Sequence, residues 1–542
     1  MASVKEQVTT LDAVVIGAGF SGLYMLYRLR EAGLKTRVYE AAGGVGGVWY
    51  WNRYPGARCD SESIYYNYTF SEELYKEWTW TSKYPEQPEI LRYLNFVADK
   101  FELRPDIQFH TRIEKAEYNE RTNRWQLETK NGEKISAKYF ITGIGCISTA
   151  NIPKFKGLES FEGDWYHTGH WPHEKVDFTG KRVGIIGTGS SGVQAIPVIA
   201  KEADHLTVFQ RTPQYSVPAR NYPYSEEEVV QAKASFQEMR KTVRDSLAGL
   251  PVSYGEKSVL DDSPEERQKT LEKAWEIGGT TLLFAYKDVI TDERANEIVS
   301  AFIRSKIKET VEDSKTAEQL TPDYYYGTKR PIIDTDYFET YNRSNVSLVD
   351  VKKAPIEEIT PKGIRTADGE YELDVIVFAT GYDGMTGSLF KMDIVGKEGV
   401  CLKDKWENGA AIRTYLGMST TGFPNMFMIT GPESPSVLGN MPITIEQHVE
   451  WISDCIDYLR KHDIETIEAK EDAEQAWSKH CRELADTTLY TKTDSWYTGA
   501  NIEDKVRGFP IYVGGYGPYH EKCAEVAEQG YDGFTLMSNT VV

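Results

Sequence analysis

Two glycine fingerprints, each opening a helix after an apolar strand, dictate what this chain can fold into. The first lies in LDAVVIGAGFSGLYMLYRLREAGLKTRVYE, from Leu11 to Glu40: an apolar strand, the turn Gly17-x-Gly19-x-x-Gly22, an amphipathic helix and a second strand. That is a complete βαβ unit. Its glycines allow a tight turn, a close approach of backbone to pyrophosphate and close helix-to-strand packing. The N–H groups and dipole of the helix N-terminus favour the anion. Glu40 stands 40 − 19 = 21 residues beyond the middle glycine, where a carboxylate accepts hydrogen bonds from ribose hydroxyls and suits FAD or NAD.

The second unit, KRVGIIGTGSSGVQAIPVIAKEADHLTVFQRT from Lys181 to Thr212, carries Gly187-x-Gly189-x-x-Gly192. Its end differs. The place of Glu40 is taken by Gln210, followed by Arg211 and Thr212, so a 2′-phosphate meets a guanidinium instead of a repelling carboxylate and the site prefers NADPH. Outside a fingerprint, Arg211 would read as a solvated arginine at a strand end.

Two further segments, KYFITGIG (Lys138 to Gly145) and ELDVIVFATGYD (Glu372 to Asp383), are apolar strands ending in Thr-Gly turns, each after a charged, hairpin-like stretch. They read as crossovers between two nucleotide domains. The expected fold is α/β, with two Rossmann-like dinucleotide-binding domains, both discontinuous. Residues 1–145 and 385–542 form the FAD-binding domain, and 150–220 and 326–384 the NADP-binding domain. Residues 221–325 are polar, charged and poor in glycine, and read as a helical insertion, a structural shoulder more than a lid.

With 40% hydrophobic and 27% charged residues the chain is globular. Its 62 basic residues against 82 acidic give a net charge of −20, which makes nucleic acid and anionic membranes poor partners. The six cysteines are scattered without a C-x-x-C pair, and glycines and charges interrupt the first apolar stretch before it reaches the length of a membrane span. A cytoplasmic protein with no obligate protein partner is expected.

Two dinucleotides in one chain imply hydride transfer from nicotinamide to flavin. Disulfide reductases pass those electrons to a pair of neighbouring thiols, which the sequence does not supply. Oxygen is the acceptor of choice, with a pairing of cysteines distant in sequence as the alternative.

At this point the segments GVWYWNRYPGARCD (Gly47 to Asp60) and FEGDWYHTGHWP (Phe161 to Pro172) closely resemble type I Baeyer–Villiger monooxygenases. The second fits the family pattern F-x-G-x-x-x-H-x-x-x-W-P through Phe161, Gly163, His167, Trp171 and Pro172. YGTKRPI around Arg330, GPESPSVLGNM and DSWYTGAN extend the resemblance over nearly the whole chain, closest to the phenylacetone and cyclohexanone monooxygenase group.

The resemblance implies FAD contacts from Gly17, Gly19, Phe20, Gly22, Glu40, Trp49, Asp60 and Met441. For NADPH it implies Thr188, Gly189, Ser190, Ser191, Gly192, Val193, Gln194, Arg211, Thr212, Lys329, Arg330 and Trp496. Arg330 matches the family's catalytic arginine, with Asp60 holding or polarising it; as an isolated dipeptide Lys329-Arg330 would be a solvated surface pair. Ser436, Val437, Leu438 and Met441 resemble the substrate-facing loop. Cys146 departs from the family, standing where some relatives carry glutamine. The implied reaction uses NADPH and O2 to convert a small-molecule ketone into an ester or lactone, through a C4a-peroxyflavin and a tetrahedral (Criegee) adduct. A permanently charged guanidinium suits those anionic steps.

His167, His170 and His173 could suggest a metal, but Gly169 and Pro172 break any helix that would align them, and no metal is expected. His167 instead reads as a hydrogen-bonded residue ordering the linker between the domains. Two alternatives stand beside the ketone reading: an N- or S-hydroxylating flavin monooxygenase, against which the histidine motif argues, and a non-catalytic, redox-sensing nucleotide-binding flavoprotein.

Overall fold

A computed structural model of the chain describes residues 8–252 and 254–538. The strand Val8–Ile16 is buried without interruption from Ala13 to Ile16, as befits a parallel strand covered on both faces. It pairs in parallel with Thr36–Tyr39 on one side and Lys134–Thr142 on the other. Ile107–Gln108 extends the sheet beyond Thr36–Tyr39. On the other side follow Arg124–Thr129, Ile113–Asn119 and finally Asp393–Val395, while Met426–Met428 joins Lys134–Thr142 in parallel. Segments from the first and the last third of the chain therefore build this sheet.

The second sheet is wholly parallel, in the order Val346–Asp350, His205–Gln210, Arg182–Ile186, Val375–Phe378, Asp164–His167. Each fingerprint strand is thus flanked on both sides by parallel neighbours, and each glycine turn leaves the sheet at its carboxyl edge. In open α/β sheets that edge is where ligands bind. The segments singled out as crossovers supply Lys134–Thr142 to the first sheet and Val375–Phe378 to the second.

The helix Phe20–Glu31 follows the first glycine turn and places Arg28 and Arg30 in its last turn, where cations complement the negative end of the helix dipole. Against it packs the 21-residue helix Met441–Lys461, pinned by an ion pair of 2.7 Å from Arg28 to Asp454. Ser190–Glu202 plays the corresponding part after the second turn.

The stretch between the second fingerprint and Arg330 is helical, comprising Glu226–Ala234, Phe236–Asp245, Pro264–Ile277, Glu293–Thr310 and Ser314–Gln319. Capping boxes at Ser225 and Ser263, with Pro264 in the first turn, start two of these helices. Leu271, Val299, Phe302 and Ile303 bury one side of these helices in the core of the second sheet. The first part of the insertion also reaches the first sheet's side. Arg244 pairs with Glu450 at 2.7 Å and Glu446 at 3.2 Å, and Asn440 donates its N–H to Ala248 O at 2.8 Å.

Candidate active site

The two glycine turns face one continuous cavity of about 1900 Å³, bordered also by both crossovers and by the segment from Lys492 to Arg507. At the first turn Gly17 has φ +97°, and a Cβ there would lie 2.6 Å from Gly143 O. At Gly22 a Cβ would lie 1.7 Å from Gly17 O, so only hydrogen allows the helix to approach the strand this closely. Gly19 caps the helix without a side-chain acceptor, leaving first-turn N–H groups open to the cavity. Glu40, buried, accepts from Ala18 N at 2.6 Å and Ala42 N at 2.7 Å. Burial pushes its carboxyl up, and those two N–H groups oppose the shift. Such a cradle fits the diphosphate and ribose of a dinucleotide.

The second turn repeats the cradle. Gly187 has φ +107° and would meet Ala379 O at 2.4 Å if it carried a Cβ; Gly192 would meet Gly187 O at 2.3 Å. Gly189 differs, because a Cβ there meets nothing within 4 Å. Thr188 Oγ1 donates to Thr212 O at 3.0 Å, which ties the turn to the strand end bearing Arg211. Lys329 lies over the Tyr324 ring with its Nζ 4.2 Å from the centroid. Burial, then Arg211 beside it, pushes the ammonium down to about 8.

Between the turns stands Arg330. Its Nε donates to Asp60 Oδ2 at 2.8 Å and its Nη2 to Asp60 Oδ1 at 2.7 Å, while Nη1 donates to the Val437 carbonyl. Burial opposes both charges, but each partner stabilises the other: the Asp60 carboxyl is held below its usual range and the guanidinium is raised further. Both residues line the cavity, so the cation stays charged at every working pH.

His167 is buried and accepts from Gly169 N through Nδ1 at 2.9 Å, which places its proton on Nε2. That nitrogen lies 3.3 Å from Thr380 Oγ1, and Thr380 Oγ1 donates to Asn151 O at 2.5 Å. The motif histidine thus ties the second crossover to the segment following the first. Burial, then His170, lowers the imidazole to about 4, so it is neutral. His170 lies against Trp51 and His173 against Tyr50; no metal-binding cluster occurs among the described residues. Phe161 and Trp171 pack in hydrophobic clusters, Pro172 is half-buried, and a Cβ on Gly163 would meet Asp374 O at 2.4 Å.

Of the residues singled out in the sequence, Gly17, Gly19, Phe20, Glu40, Trp49, Asp60 and Met441 border the first half of the cavity. Thr188, Gly189, Ser190, Ser191, Gln194, Arg211, Thr212, Lys329, Arg330 and Trp496 border the rest. Gly22 and Gly192 act through packing, and Val193 turns into the core of the second sheet. The Gln194 amide is engaged by the first sheet's side, accepting from Tyr54 Oη at 2.7 Å and donating to Arg58 O at 3.0 Å. Of the loop residues, Val437 reaches the cavity, whereas Leu438 packs beside Met441 and Trp496. Ser436 is buried, with its hydroxyl 2.9 Å from the Cys146 thiol.

Cys146 therefore lines the cavity and buttresses this loop. Its thiol is raised by burial, as a structural cysteine's is, and all six cysteines are free. Gln210 gives its amide N–H to Gln319 O at 2.8 Å, so it faces the insertion. Sequence reasoning missed Thr493, Val351, Lys352, Pro355 and Ile356 as cavity walls; only the order of strands and segments could have found them.

The family model described as "Flavin-binding monooxygenase-like" matches residues 11–246. A Baeyer–Villiger monooxygenase of Pseudooceanicola batsensis is 46% identical over 98% of this chain and 97% of its own. Phenazine N-monooxygenase PhzNO1 of Lysobacter antibioticus is 44% identical over 99% of both. A solved structure of an oxidized steroid monooxygenase bound to NADP superposes with a TM-score of 0.94 at 49% identity, covering 98% of this chain and 100% of that one. With twin glycine cradles, the histidine motif and a buried Arg–Asp pair between them, the chain belongs to the Baeyer–Villiger monooxygenases of the flavin-binding monooxygenase-like family.

Proposed function

We propose that this chain is an FAD-dependent monooxygenase that uses NADPH and O2 to convert a ketone into an ester or lactone. The balance is ketone + O2 + NADPH + H⁺ → ester + H2O + NADP⁺. Bound flavin supplies the redox and oxygen chemistry, and the chain supplies charge, position and exclusion of water. Residues 1–145 with 385–542 hold FAD, residues 150–220 with 326–384 hold NADPH, and 221–325 form the insertion that braces them. The acidic surface keeps the enzyme from nucleic acid and anionic membranes. A cytoplasmic enzyme with no obligate protein partner accords with this reading, and among the described residues no helix is long and apolar enough to cross a membrane.

The observation that carries the proposal is the Arg330–Asp60 pair at the junction of the two cradles. Oxygen insertion into a ketone begins with nucleophilic attack on a carbonyl, which places negative charge first on the attacking oxygen and then on the former carbonyl oxygen. A fixed guanidinium stabilises both, because it is positioned before the charge develops. Asp60 fixes its plane, and Val437 O takes one Nη1 proton, which leaves the remaining N–H donors for reacting oxygens. The apolar side chains of Val437, Met441 and Ile445 make a wall suited to a ketone.

N-oxygenation, the activity named for the Lysobacter relative, asks for the opposite polarity, with the substrate as nucleophile. The decisive experiment incubates holoenzyme and NADPH under ¹⁸O2 with a panel of ketones and with an aromatic N-heterocycle. Esters carrying one ¹⁸O per turnover are the expected products. N-oxide formation without any ester would replace the ketone reading by the N-oxygenating one.

A further inference from the structure

The short helical turn Ser436–Leu438 is held at its start by the contact of Ser436 with Cys146, and at its middle the Val437 carbonyl accepts from Arg330 Nη1. Its far end runs through Gly439 into Asn440, the residue before the helix Met441–Lys461. Asparagine in that place ordinarily caps the helix with its side chain. Asn440 does not: its Nδ2 donates to Tyr65 O at 2.6 Å and to Gly249 O at 3.2 Å, and its backbone N donates to Ala248 O at 2.8 Å. One buried residue thus joins the insertion, the stretch beside the cavity-lining Tyr66 and the turn that holds Arg330. The insertion comes this close because Gly249, at φ +66°, has no side chain; a Cβ there would stand 3.2 Å from Asn440 Cβ.

We infer that Asn440 is a positioning residue for oxygen insertion: by anchoring the far end of the turn to the insertion and to the first domain, it fixes where the Val437 carbonyl stands and so how the guanidinium clamped by Asp60 is presented to the cavity. The inference rests on the reaction proposed above and extends it to a residue that does not border the cavity. A thiol is a weak hydrogen-bonding group, so the contact of Ser436 with Cys146 alone would leave the turn free to rock. Asn440 supplies the second anchor, and the carbonyls it holds are themselves fixed, because Arg244, in the helix just before Ala248 and Gly249, pairs with Glu446 and Glu450 on the helix that Asn440 begins. Its Oδ1 meets no donor among the described residues, so the two carbonyls alone orient the amide. Truncating the side chain leaves both carbonyls without that donor. Reduction by NADPH places no negative charge before Arg330, so the oxygen-dependent half of the reaction is the half that responds.

The experiment compares FAD-loaded wild type, Asn440→Ala and Gly249→Ala, the last of which presses on Asn440 from the insertion and leaves its amide in place. It reads the anaerobic rate of reduction by NADPH, the partition of consumed NADPH between ester and hydrogen peroxide, and deuterium uptake by the backbone amides of residues 434–440. Peroxide forms from O2, NADPH and H⁺ when no ketone is attacked. For Asn440→Ala the ratio of ester to peroxide should fall roughly threefold to tenfold, as expected for the loss of one buried hydrogen-bonding side chain, with reduction changed less than about twofold. Uptake over 434–440 should rise in the same variant, and Gly249→Ala should shift the ratio in the same direction. A wild-type ratio in Asn440→Ala, a fall in reduction and ester formation by one common factor, or unchanged uptake over 434–440 would overturn the role and leave Asn440 a structural residue. Should Asn440→Ala fail to fold, the ratio in Gly249→Ala decides the matter in the same way. A wild type that releases no ester from any ketone would instead remove the reaction on which the inference stands.

Discussion

The guanidinium of Arg330 and the carboxylate of Asp60 meet in parallel, Nε to Oδ2 at 2.8 Å and Nη2 to Oδ1 at 2.7 Å, although 270 residues separate them in sequence. This two-point contact fixes the plane of the guanidinium, which a single hydrogen bond would leave free to turn. The geometry distinguishes the two halves of the reaction, since only the oxygen-dependent half places negative charge in front of that plane.

Arg330→Ala should therefore keep reduction by NADPH, followed anaerobically by stopped flow, and lose ester formation. A unit charge pair at about 4 Å and an effective dielectric near 20 is worth on the order of 4 kcal/mol, or about a thousandfold in rate. Arg330→Lys should recover little because an ammonium cannot make the two-point contact. Asp60→Ala should weaken the same half-reaction. Ester formation at the wild-type rate by Arg330→Ala would return the residue to a structural role.

The coenzyme site should respond to pH through Lys329. Its ammonium is lowered to about 8, so it is charged below that pH and loses its proton above it. Affinity for NADPH is expected to be full near pH 7 and to fall as pH rises through 8, with NADH affected much less. Lys329→Arg should flatten the profile. Arg211→Ala should raise the KM for NADPH by roughly tenfold or more, the loss of a charge-assisted contact worth about 1.5–3 kcal/mol.

Glycines at different places in the fingerprints should give opposite phenotypes. Gly22→Ala and Gly192→Ala drive a methyl against backbone oxygens at 1.7 and 2.3 Å, and overpacking against rigid backbone costs at least about 1–3 kcal/mol, so poor folding is expected of both. Gly189→Ala meets open space instead. That variant should fold, keep its flavin colour and melting temperature, and bind NADP⁺ more weakly because its methyl occupies the approach of the pyrophosphate. Normal NADP⁺ affinity in Gly189→Ala would show that this backbone does not touch the coenzyme.

Glu433, in the turn leading to Ser436, is buried and accepts from Thr414 N at 2.8 Å, Thr414 Oγ1 at 2.9 Å and Ser478 Oγ at 2.8 Å. Burial outweighs these donors and pushes the carboxyl up to about 7. A carboxyl whose folded value lies above its unfolded value, about 4.3, stabilises the fold most below that lower value and loses the contribution as pH rises to 7. The melting temperature of wild type relative to Glu433→Gln should therefore decline from pH 4.5 to 7 and level off above. A constant difference across that range would place the carboxyl's ionisation at its ordinary value.

The βαβ units, their glycine roles and Glu40 were legible in the sequence because each is local: strand, turn, helix and acid follow one another within about thirty residues. Arg330 and Asp60 were legible through their motifs, while the two-point contact between them depends on packing. Gln210 shows where local reasoning ends. Its place relative to Gly189 matches that of Glu40 relative to Gly19, yet its amide bonds Gln319 in the insertion, so an equal spacing did not give an equal direction. Val351, on the cavity wall, was illegible for the converse reason. Its nearness to Arg211 follows from the pairing of two strands about 140 residues apart, which no local pattern encodes. Ser436 was read as facing substrate, and the buried thiol of Cys146 holds it instead.

The clasp from His167 through Thr380 to Asn151 has a mechanical corollary. Two separate strands of chain connecting two bodies would let each body twist and shear about either strand. Tied side by side, the two connecting segments resist moving independently of one another at the clasp. Because the imidazole ionises only near pH 4, the stiffness of that tie is constant over the neutral range. The histidine of the motif thus braces the junction of the two connecting segments through Thr380.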